Sequence, residues 1–302
     1  MTEIKKAHKD RKDGTLVVSP DPMHDFMPYI MGSRTENEAV MSYTFDMTAV
    51  TEYLKKKNAE NPEFKYTIFH VIVAALAKVI YLRPALNRFI AGHRCYERKD
   101  ISFTFTAKKK FADNAGEFVT MIKAEDDGTS LVDQIHDKIC DEVYKVRSDK
   151  VVDGTSQYMT VFNKIPRPVL RLVIRFLNWL VYHDWVPNAI REVDPYLSSV
   201  FISNLGSIKM EANYHHLINW SLNSIFVIAN TMYKQPFFNE DGTYEMKDGM
   251  NLSFTIDERI ADGFYFAKSL VLFKKIIANP EMLDDPLGTP IDKYVEKEQW
   301  FN

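Results

Sequence analysis

The chain has 302 residues, of which 46% are hydrophobic and 26% are charged, and its formal net charge is −3. This composition predicts a sizeable hydrophobic core in one large domain or two small ones, and the weakly acidic balance gives no indication of nucleic-acid binding. The sequence contains no run of about 18 uncharged apolar residues, so no membrane-spanning helix is predicted. Cys95 and Cys140 lack metal-ligand or redox spacing, which predicts two reduced thiols in a cytoplasmic protein.

The polar, basic residues 1–24 predict a loosely held N-terminal arm, followed by one domain over residues 25–302. Apolar residues at helical spacing predict a helix over residues 68–82, capped by Thr67 and ended by Arg83-Pro84. Strict alternation of apolar and polar residues predicts a half-buried strand over residues 101–106. The other predicted elements are strands over 42–46, 116–123, 197–203, 224–229 and 250–255, and helices over 48–57, 130–146 and 261–278.

Helices follow strands at irregular intervals in this order, which is typical of an α/β protein without a regular βαβ series. The pattern predicts a mixed sheet covered by helices on one face. His93, His136 and His183 have no partners at metal-ligand spacing, so the sequence predicts no metal site.

Three segments carry an order that resembles the chloramphenicol acetyltransferase-like superfamily, and in particular the catalytic domain of the acyltransferase component of 2-oxo-acid dehydrogenase complexes. They are residues 64–88, with a helix ending at Arg-Pro; residues 201–207, with Ser-Asn-Leu-Gly; and residues 252–264, with Asp-Glu-Arg-x-x-Asp-Gly. The resemblance covers residues 25–280, apart from an insertion at about 150–195. It implies the two-layer α/β sandwich of that superfamily.

The resemblance also implies a site. In such enzymes a histidine takes the proton from a thiol or hydroxyl nucleophile, which attacks a thioester, while a serine hydroxyl stabilises the oxyanion. Ser203 matches that serine, and Asp262 and Gly263 match the end of the motif, whose aspartate pairs with an arginine in the family; Arg34 and Arg11 are the candidates. Asn204, Gly206, Arg259 and Gly263 are implied to border the substrate.

Glu258 occupies the position of the family's histidine. An exposed glutamate has a pKa of about 4.3, against about 8.5 for a thiol, so proton transfer to it is uphill by roughly 5–6 kcal/mol. Burial raises the pKa of a carboxyl group, and Asp257 would act in the same direction while Arg259 would oppose it. The sequence leaves open whether Glu258 is a base or a residue in a silent pocket.

His215 and His216 are the alternative bases, because in the family this segment lines the channel near the subunit interface. The Asp-Gly that follows a double histidine in condensation domains is missing here. Local hydrogen bonding or packing at an interface is the simpler interpretation of both side chains.

Residues 165–187 are the feature that the resemblance does not explain. Arg167, Arg171 and Arg175 follow at four-residue spacing and predict a polar stripe opposite a wide apolar face. Three alternatives stay open: the helix lies on a membrane surface, roofs an acyl-chain pocket, or packs inside the protein or against another subunit.

The resemblance implies a coenzyme A thioester as co-substrate, no metal, and a homotrimer or higher oligomer with a small-molecule acyl donor. The residues that precede the matched region are too few for a lipoyl domain, so no covalently attached lipoyl group is expected. The sequence therefore predicts a cytoplasmic acyltransferase-like protein. It acts as an enzyme if Glu258 or a nearby histidine supplies the base. The alternative function is a catalytically silent homologue that scaffolds or regulates a multienzyme complex.

Overall fold

The computed structural model describes residues 10–18, 22–108, 117–148, 164–187 and 194–291. Its helices are α1 (Pro22–Ile30), α2 (Thr48–Ala59), α3 (Ile68–Leu82), α4 (Leu131–Arg147), α5 (Arg167–Tyr182) and α6 (Gly263–Ala278). Its strands are β1 (Gly14–Leu16), β2 (Glu38–Asp46), β3 (Arg88–Ala91), β4 (Arg94–Arg98), β5 (Ile101–Lys108), β6 (Glu117–Ala124), β7 (Val200–Asn204), β8 (Ile225–Phe238) and β9 (Tyr244–Asp257).

The main sheet has the strand order β2-β9-β8-β7-β5-β6. β7 runs parallel to both β5 and β8, and the remaining neighbours are antiparallel. Helices α2, α3, α4 and α6 contribute to the large hydrophobic cluster on one face of this sheet. The predicted α/β sandwich, a mixed sheet covered by helices, is confirmed. A second, three-stranded sheet has the order β1-β4-β3.

Local sequence explains how the core layer forms. α3 is apolar on all sides, and every residue from Phe69 to Ile80 is buried. Its predicted start is confirmed, since His70 Nδ1 accepts a hydrogen bond from the backbone N–H of Thr67 at 3.1 Å. In β5, Phe103 and Phe105 enter the large cluster, and the alternate side chains face the other side of the sheet. Ser102 and Thr104 are buried on that side as well, so the prediction of a half-buried strand is wrong.

The structure differs from the prediction of a loose N-terminal arm for residues 10–18. Gly14–Leu16 pairs with β4, and Arg11 is buried beneath the end of α5, where it bonds Asp13 at 2.8 Å. This short segment is thus held by strand pairing, which composition alone does not reveal. Residues 1–9 lie outside the described part of the chain.

The strands β8 and β9 are also longer than predicted and form an extended hairpin that turns at Asp241-Gly242. The predicted strand at 197–203 starts later, because residues 195–197 form a 3-10 turn whose cap is Asp194. Cys95 and Cys140 are free thiols. Among the described residues, no helix combines the length and apolar character needed to cross a membrane.

Candidate active site

The face of the main sheet opposite the large cluster carries a smaller cluster that includes Phe201 on β7 and Phe226 and Ile228 on β8. Residues 205–223, the connection between β7 and β8, run across this face. Asn230 on β8 fixes the crossing, since its side chain accepts from the N–H of Ala212 at 2.8 Å and donates to the carbonyl of Ala212 at 3.0 Å. We call this side of the sheet the open face.

Ser203 lies on the open face near the end of β7. Side chains alternate along a strand, so Ser203 shares its face with Phe201, and it is half-buried. The next residue, Asn204, caps a 3-10 turn at residues 205–208 by accepting from the N–H of Ser207 at 3.2 Å. At Gly206 a Cβ atom would lie 2.7 Å from the carbonyl oxygen of Asn230. Asn204 and Gly206 therefore shape the loop that follows Ser203.

Glu258 follows the last residue of β9 and its side chain is exposed. Its backbone N–H donates to the carbonyl of Asn37 at 2.9 Å, which ties the turn to the chain entering β2. The burial that would favour a carboxylate base at this position is not supplied by the described residues of a single chain.

A buried ion pair holds the turn that carries Glu258. Asp257 is 0% exposed and receives two hydrogen bonds from the guanidinium of Arg259, at 2.8 Å from Nε and 2.7 Å from Nη2. Arg34 lies 4.0 Å from the same carboxylate. Burial lowers the pKa of Arg34 to about 10, while Asp257 acts to raise it.

Arg259 is placed differently from the substrate-bordering position that the resemblance implies. It is buried, and its Nη1 donates to the carbonyls of Met31 and Gly32 at 2.9 and 3.2 Å. Its guanidinium thus holds the backbone and Asp257 together. In the single chain it does not lie on a surface that a substrate reaches.

The predicted arginine partner of Asp262 is also corrected. Arg34 pairs with Asp257, and Arg11 pairs with Asp13 at 2.8 Å. Asp262 itself is exposed and caps α6, since its carboxylate accepts from the N–H of Tyr265 at 2.7 Å. Gly263, the first residue of α6, has an ordinary φ, and a Cβ there would meet no atom within 4 Å. Asp262 is thus a helix cap, and within residues 252–264 the aspartate that pairs with arginine is Asp257.

One chain does not bring Ser203 and Glu258 together. Ser203 pairs with Ile228 and Ile228 with Ser253, so β7 and β9 are separated by two strand spacings, or about 10 Å. Glu258 then lies five residues beyond Ser253, which adds about 16 Å along the strand. The two Cα atoms are therefore roughly 19 Å apart, at opposite ends of the sheet.

His215, in contrast, shares the open face with Ser203. Its ring stacks on Phe226 with centroids 3.9 Å apart and an interplanar angle of 4°, and Phe226 is the cross-strand partner of Phe201. Its Nδ1 lies 2.9 Å from the carbonyl oxygen of His216. A carbonyl only accepts, so Nδ1 carries the proton and Nε2 of the neutral ring carries the free lone pair. His216 is exposed.

Sequence reasoning missed Glu38, which anchors the segment of His215. Glu38 lies on β2 opposite Asp257. Its carboxylate accepts from the hydroxyl of Tyr214 and from the N–H of Leu217, both at 2.5 Å. No local motif marks Glu38, because these contacts depend on how residues 205–223 cross the sheet.

A second group of histidines lies in the helical layer. His70 and His136 have ring centroids 4.9 Å apart, and burial lowers the pKa of His70 to about 3. His136 Nε2 contacts the carbonyl of Phe64 at 2.9 Å. Within the described ranges, no three or more His, Cys, Asp or Glu side chains are grouped so as to hold a metal ion. His70 is thus a buried residue of the helical layer.

Comparison with known proteins gives a family match and a shared fold. Residues 188–284 match the family model described as 2-oxoacid dehydrogenases acyltransferase (catalytic domain). A probable dihydrolipoamide acetyltransferase from Listeria monocytogenes aligns with 88% of this chain and 95% of its own, at 18% identity and a TM-score of 0.57. The chain has the chloramphenicol acetyltransferase-like fold. The resemblance seen in the sequence is confirmed by the family match over residues 188–284 and by the shared fold.

Two further structures support the same fold. The cubic core of the pyruvate dehydrogenase multienzyme complex aligns with 94% of this chain and 97% of its own, at 14% identity and a TM-score of 0.58. A dihydrolipoamide acetyltransferase from Azotobacter vinelandii, studied for the catalytic role of a serine, a histidine and an asparagine, gives the same coverage at 15% identity and a TM-score of 0.58. No curated protein matches the sequence.

Proposed function

We propose that this acyltransferase-like protein is an enzyme that moves an acyl group from a coenzyme A thioester to a thiol or hydroxyl acceptor. A base removes the acceptor proton, and the sulfur or oxygen attacks the thioester carbonyl. The tetrahedral intermediate then expels the coenzyme A thiolate, which regains the proton from the base. The family match over residues 188–284 supports this reaction class.

Ser203 is the proposed oxyanion donor. Its hydroxyl is half-buried on the open face, next to the aromatic surface of Phe201 and Phe226. A preorganised donor of this kind contributes about 10²–10³ in rate when the intermediate's oxygen lies within hydrogen-bond distance. Replacement of Ser203 by Ala should therefore lower kcat by about that factor and leave substrate binding nearly unchanged.

His215 is the proposed base, and the observation that carries this proposal is its place over Phe226 on the face of Ser203. The contact to the His216 carbonyl leaves Nε2 as the proton acceptor. Imidazole is also the side chain that most often acts as a general base in enzymes.

Glu258 is the competing base, and it requires a second copy of the chain. It lies roughly 19 Å from Ser203 within one chain, so the two groups reach one substrate only if they come from different subunits. A homotrimer or larger assembly, which we also propose, would bring the 258 turn of one subunit toward Ser203 of the next.

Release of free thiol from acetyl- and longer acyl-coenzyme A, with a panel of acceptors, tests the function. The variants His215→Asn and Glu258→Gln then separate the two bases. Loss of turnover in His215→Asn with retention in Glu258→Gln supports His215, and the reverse result supports Glu258. If the wild type turns over no acyl donor, the enzymatic proposal is wrong.

Mixed oligomers test the shared site directly. If Ser203 and Glu258 act across a subunit boundary, random mixing of Ser203→Ala with Glu258→Gln subunits in a ring leaves about one quarter of the sites intact. Activity near that fraction, from two inactive parents, supports the Glu258 route. No recovery supports a site whose essential residues lie in one chain.

The second candidate function is a catalytically silent homologue that scaffolds or regulates a multienzyme complex. The exposed glutamate at the histidine position favours it. If Glu258→His creates acyl transfer that the wild type lacks, the silent homologue becomes the better description.

A further inference from the structure

Helix α5 lies on the surface of the protein, and its outer face has no covering partner among the described residues. None of its residues is buried. Leu172 is 63% exposed, Phe176 is 56% exposed and Trp179 is 44% exposed. These three side chains follow at spacings of four and three residues, so they form one apolar stripe along the helix.

The stripe continues into an aromatic cluster after the end of α5. The ring of Trp179 lies 5.9 Å from that of Phe176 and 5.0 Å from that of Trp185, which is 60% exposed. His183 contacts both indole rings, at 4.7 and 5.4 Å. Exposed tryptophan at the end of an apolar helix face is typical of side chains that settle at a lipid–water interface.

The charged side chains of α5 are all basic. Arg167, Arg171 and Arg175 lie exposed on one stripe beside the apolar one, and Lys164 precedes them. From residue 164 to residue 183 the sequence contains no acidic side chain, although the whole chain has a net charge of −3. Positive charge is thus concentrated where the apolar surface is exposed.

Contacts at its C-terminal end attach α5 to the small sheet. Arg11 Nη1 donates to the carbonyl of Val181 at 3.0 Å, and Asp184 accepts from the N–H of Lys12 at 2.7 Å. Val181 packs against the cluster that includes Phe89 and Tyr96. The helix is therefore held as an exposed element of the fold through its last turn.

Helix α1 adds apolar surface beside the same β3–β4 turn. The ring of Tyr182 lies against Gly92, where a Cβ would come within 3.2 Å of it. On the next residue of that turn, His93 stacks on Tyr29 of α1 with centroids 5.0 Å apart. Phe26, Tyr29 and Ile30 are each at least 56% exposed. Two helices with exposed apolar residues therefore adjoin one turn.

We propose that α5, with the neighbouring surface of α1, docks the protein on an anionic lipid membrane. The apolar stripe enters the headgroup–acyl boundary, and the arginine stripe contacts the acidic headgroups. A second copy of the chain is a poorer occupant, because pairing two α5 helices brings two stripes of like charge together. Through this surface the protein binds at the periphery of the membrane, which requires no membrane-spanning helix.

Vesicle co-sedimentation tests this proposal with the full chain. Vesicles of phosphatidylcholine alone and of phosphatidylcholine mixed with phosphatidylglycerol are the probes. We expect binding to the anionic vesicles only, and weaker binding at high salt. The variant Arg171→Glu with Arg175→Glu should bind at least about thirty-fold more weakly, since each basic residue at an anionic surface contributes about a factor of five.

A matched variant and a mass measurement complete the test. Lys55→Glu with Lys56→Glu makes the same charge change at exposed positions on α2 and should bind like the wild type. Phe176→Ala with Trp179→Ala should lose vesicle binding without changing the molar mass of the lipid-free protein in light scattering. The proposal is overturned if the wild type ignores anionic vesicles, or if the Arg171/Arg175 variant binds equally. It is also overturned if the Phe176/Trp179 variant lowers the molar mass, which would place a second copy on this surface.

Discussion

Replacement of Asp257 by Asn is expected to be among the most damaging single changes near the candidate site. The carboxylate is fully buried and receives two hydrogen bonds from Arg259, at 2.8 and 2.7 Å, with Arg34 at 4.0 Å. Removing one partner of a buried ion pair costs about 3–5 kcal/mol, because the other charge remains buried. Two guanidinium groups share this carboxylate, so we expect the upper part of that range.

Urea unfolding followed by far-UV circular dichroism at neutral pH measures this loss as a fall in the free energy of unfolding. Asp248→Asn is the matched control, because its ion pair with Lys234, at 2.9 Å, is on the surface and the lysine side chain is 63% exposed. The control should lose less than about 1 kcal/mol. Equal losses in both variants would refute the role given to burial.

A compensating variant keeps the test decisive if Asp257→Asn alone does not fold. Removing Arg259 as well, as Met, takes away one of the buried charges that the first change leaves unpaired. The double variant should then be more stable than the sum of the two single changes predicts, by about 1–3 kcal/mol. Strict additivity would mean that Asp257 and Arg259 do not stabilise each other.

Three further predictions concern His70, Gly206 and the two cysteines. The pKa of His70 falls to about 3 on folding, so the histidine takes up a proton at a higher pH in the unfolded chain than in the folded protein. Lowering the pH from 7.5 to 5 should therefore reduce the free energy of unfolding by about 2 kcal/mol through this group, and denaturant unfolding should show the loss in the wild type but not in His70→Asn. Gly206→Ala should cost about 1–3 kcal/mol in the same assay, because its Cβ would lie 2.7 Å from the carbonyl oxygen of Asn230; an unchanged midpoint would contradict this. Burial raises the pKa of Cys95 to about 12 and that of Cys140 to about 11, so both thiols should react with a disulfide reagent at pH 8 much more slowly than a free cysteine. A fast phase in the thiol reaction of the native protein would contradict this.

The sequence determined the elements whose signals are local. α3 forms over the predicted residues, because an uninterrupted apolar run, a capping threonine and an Arg-Pro end all lie within a few residues. The alternation in β5 predicted that Phe103 and Phe105 enter the large cluster, but not that Ser102 and Thr104 on the other face are buried too. α5 forms where the arginine spacing predicted an amphipathic helix. The resemblance carried by residues 201–207 and 252–264 identified the fold, since both motifs keep their order along the chain.

Only the tertiary structure decided what surrounds the candidate site. β7 lies between β5 and β8, and this sheet order separates Ser203 from Glu258 while placing His215 on the face of Ser203. The contacts of Glu38 and the pairing of Asp257 with Arg34 join residues far apart in sequence. Local periodicity specifies the side of a strand on which a residue lies. It does not specify which strands become neighbours, because that depends on the packing of the whole core.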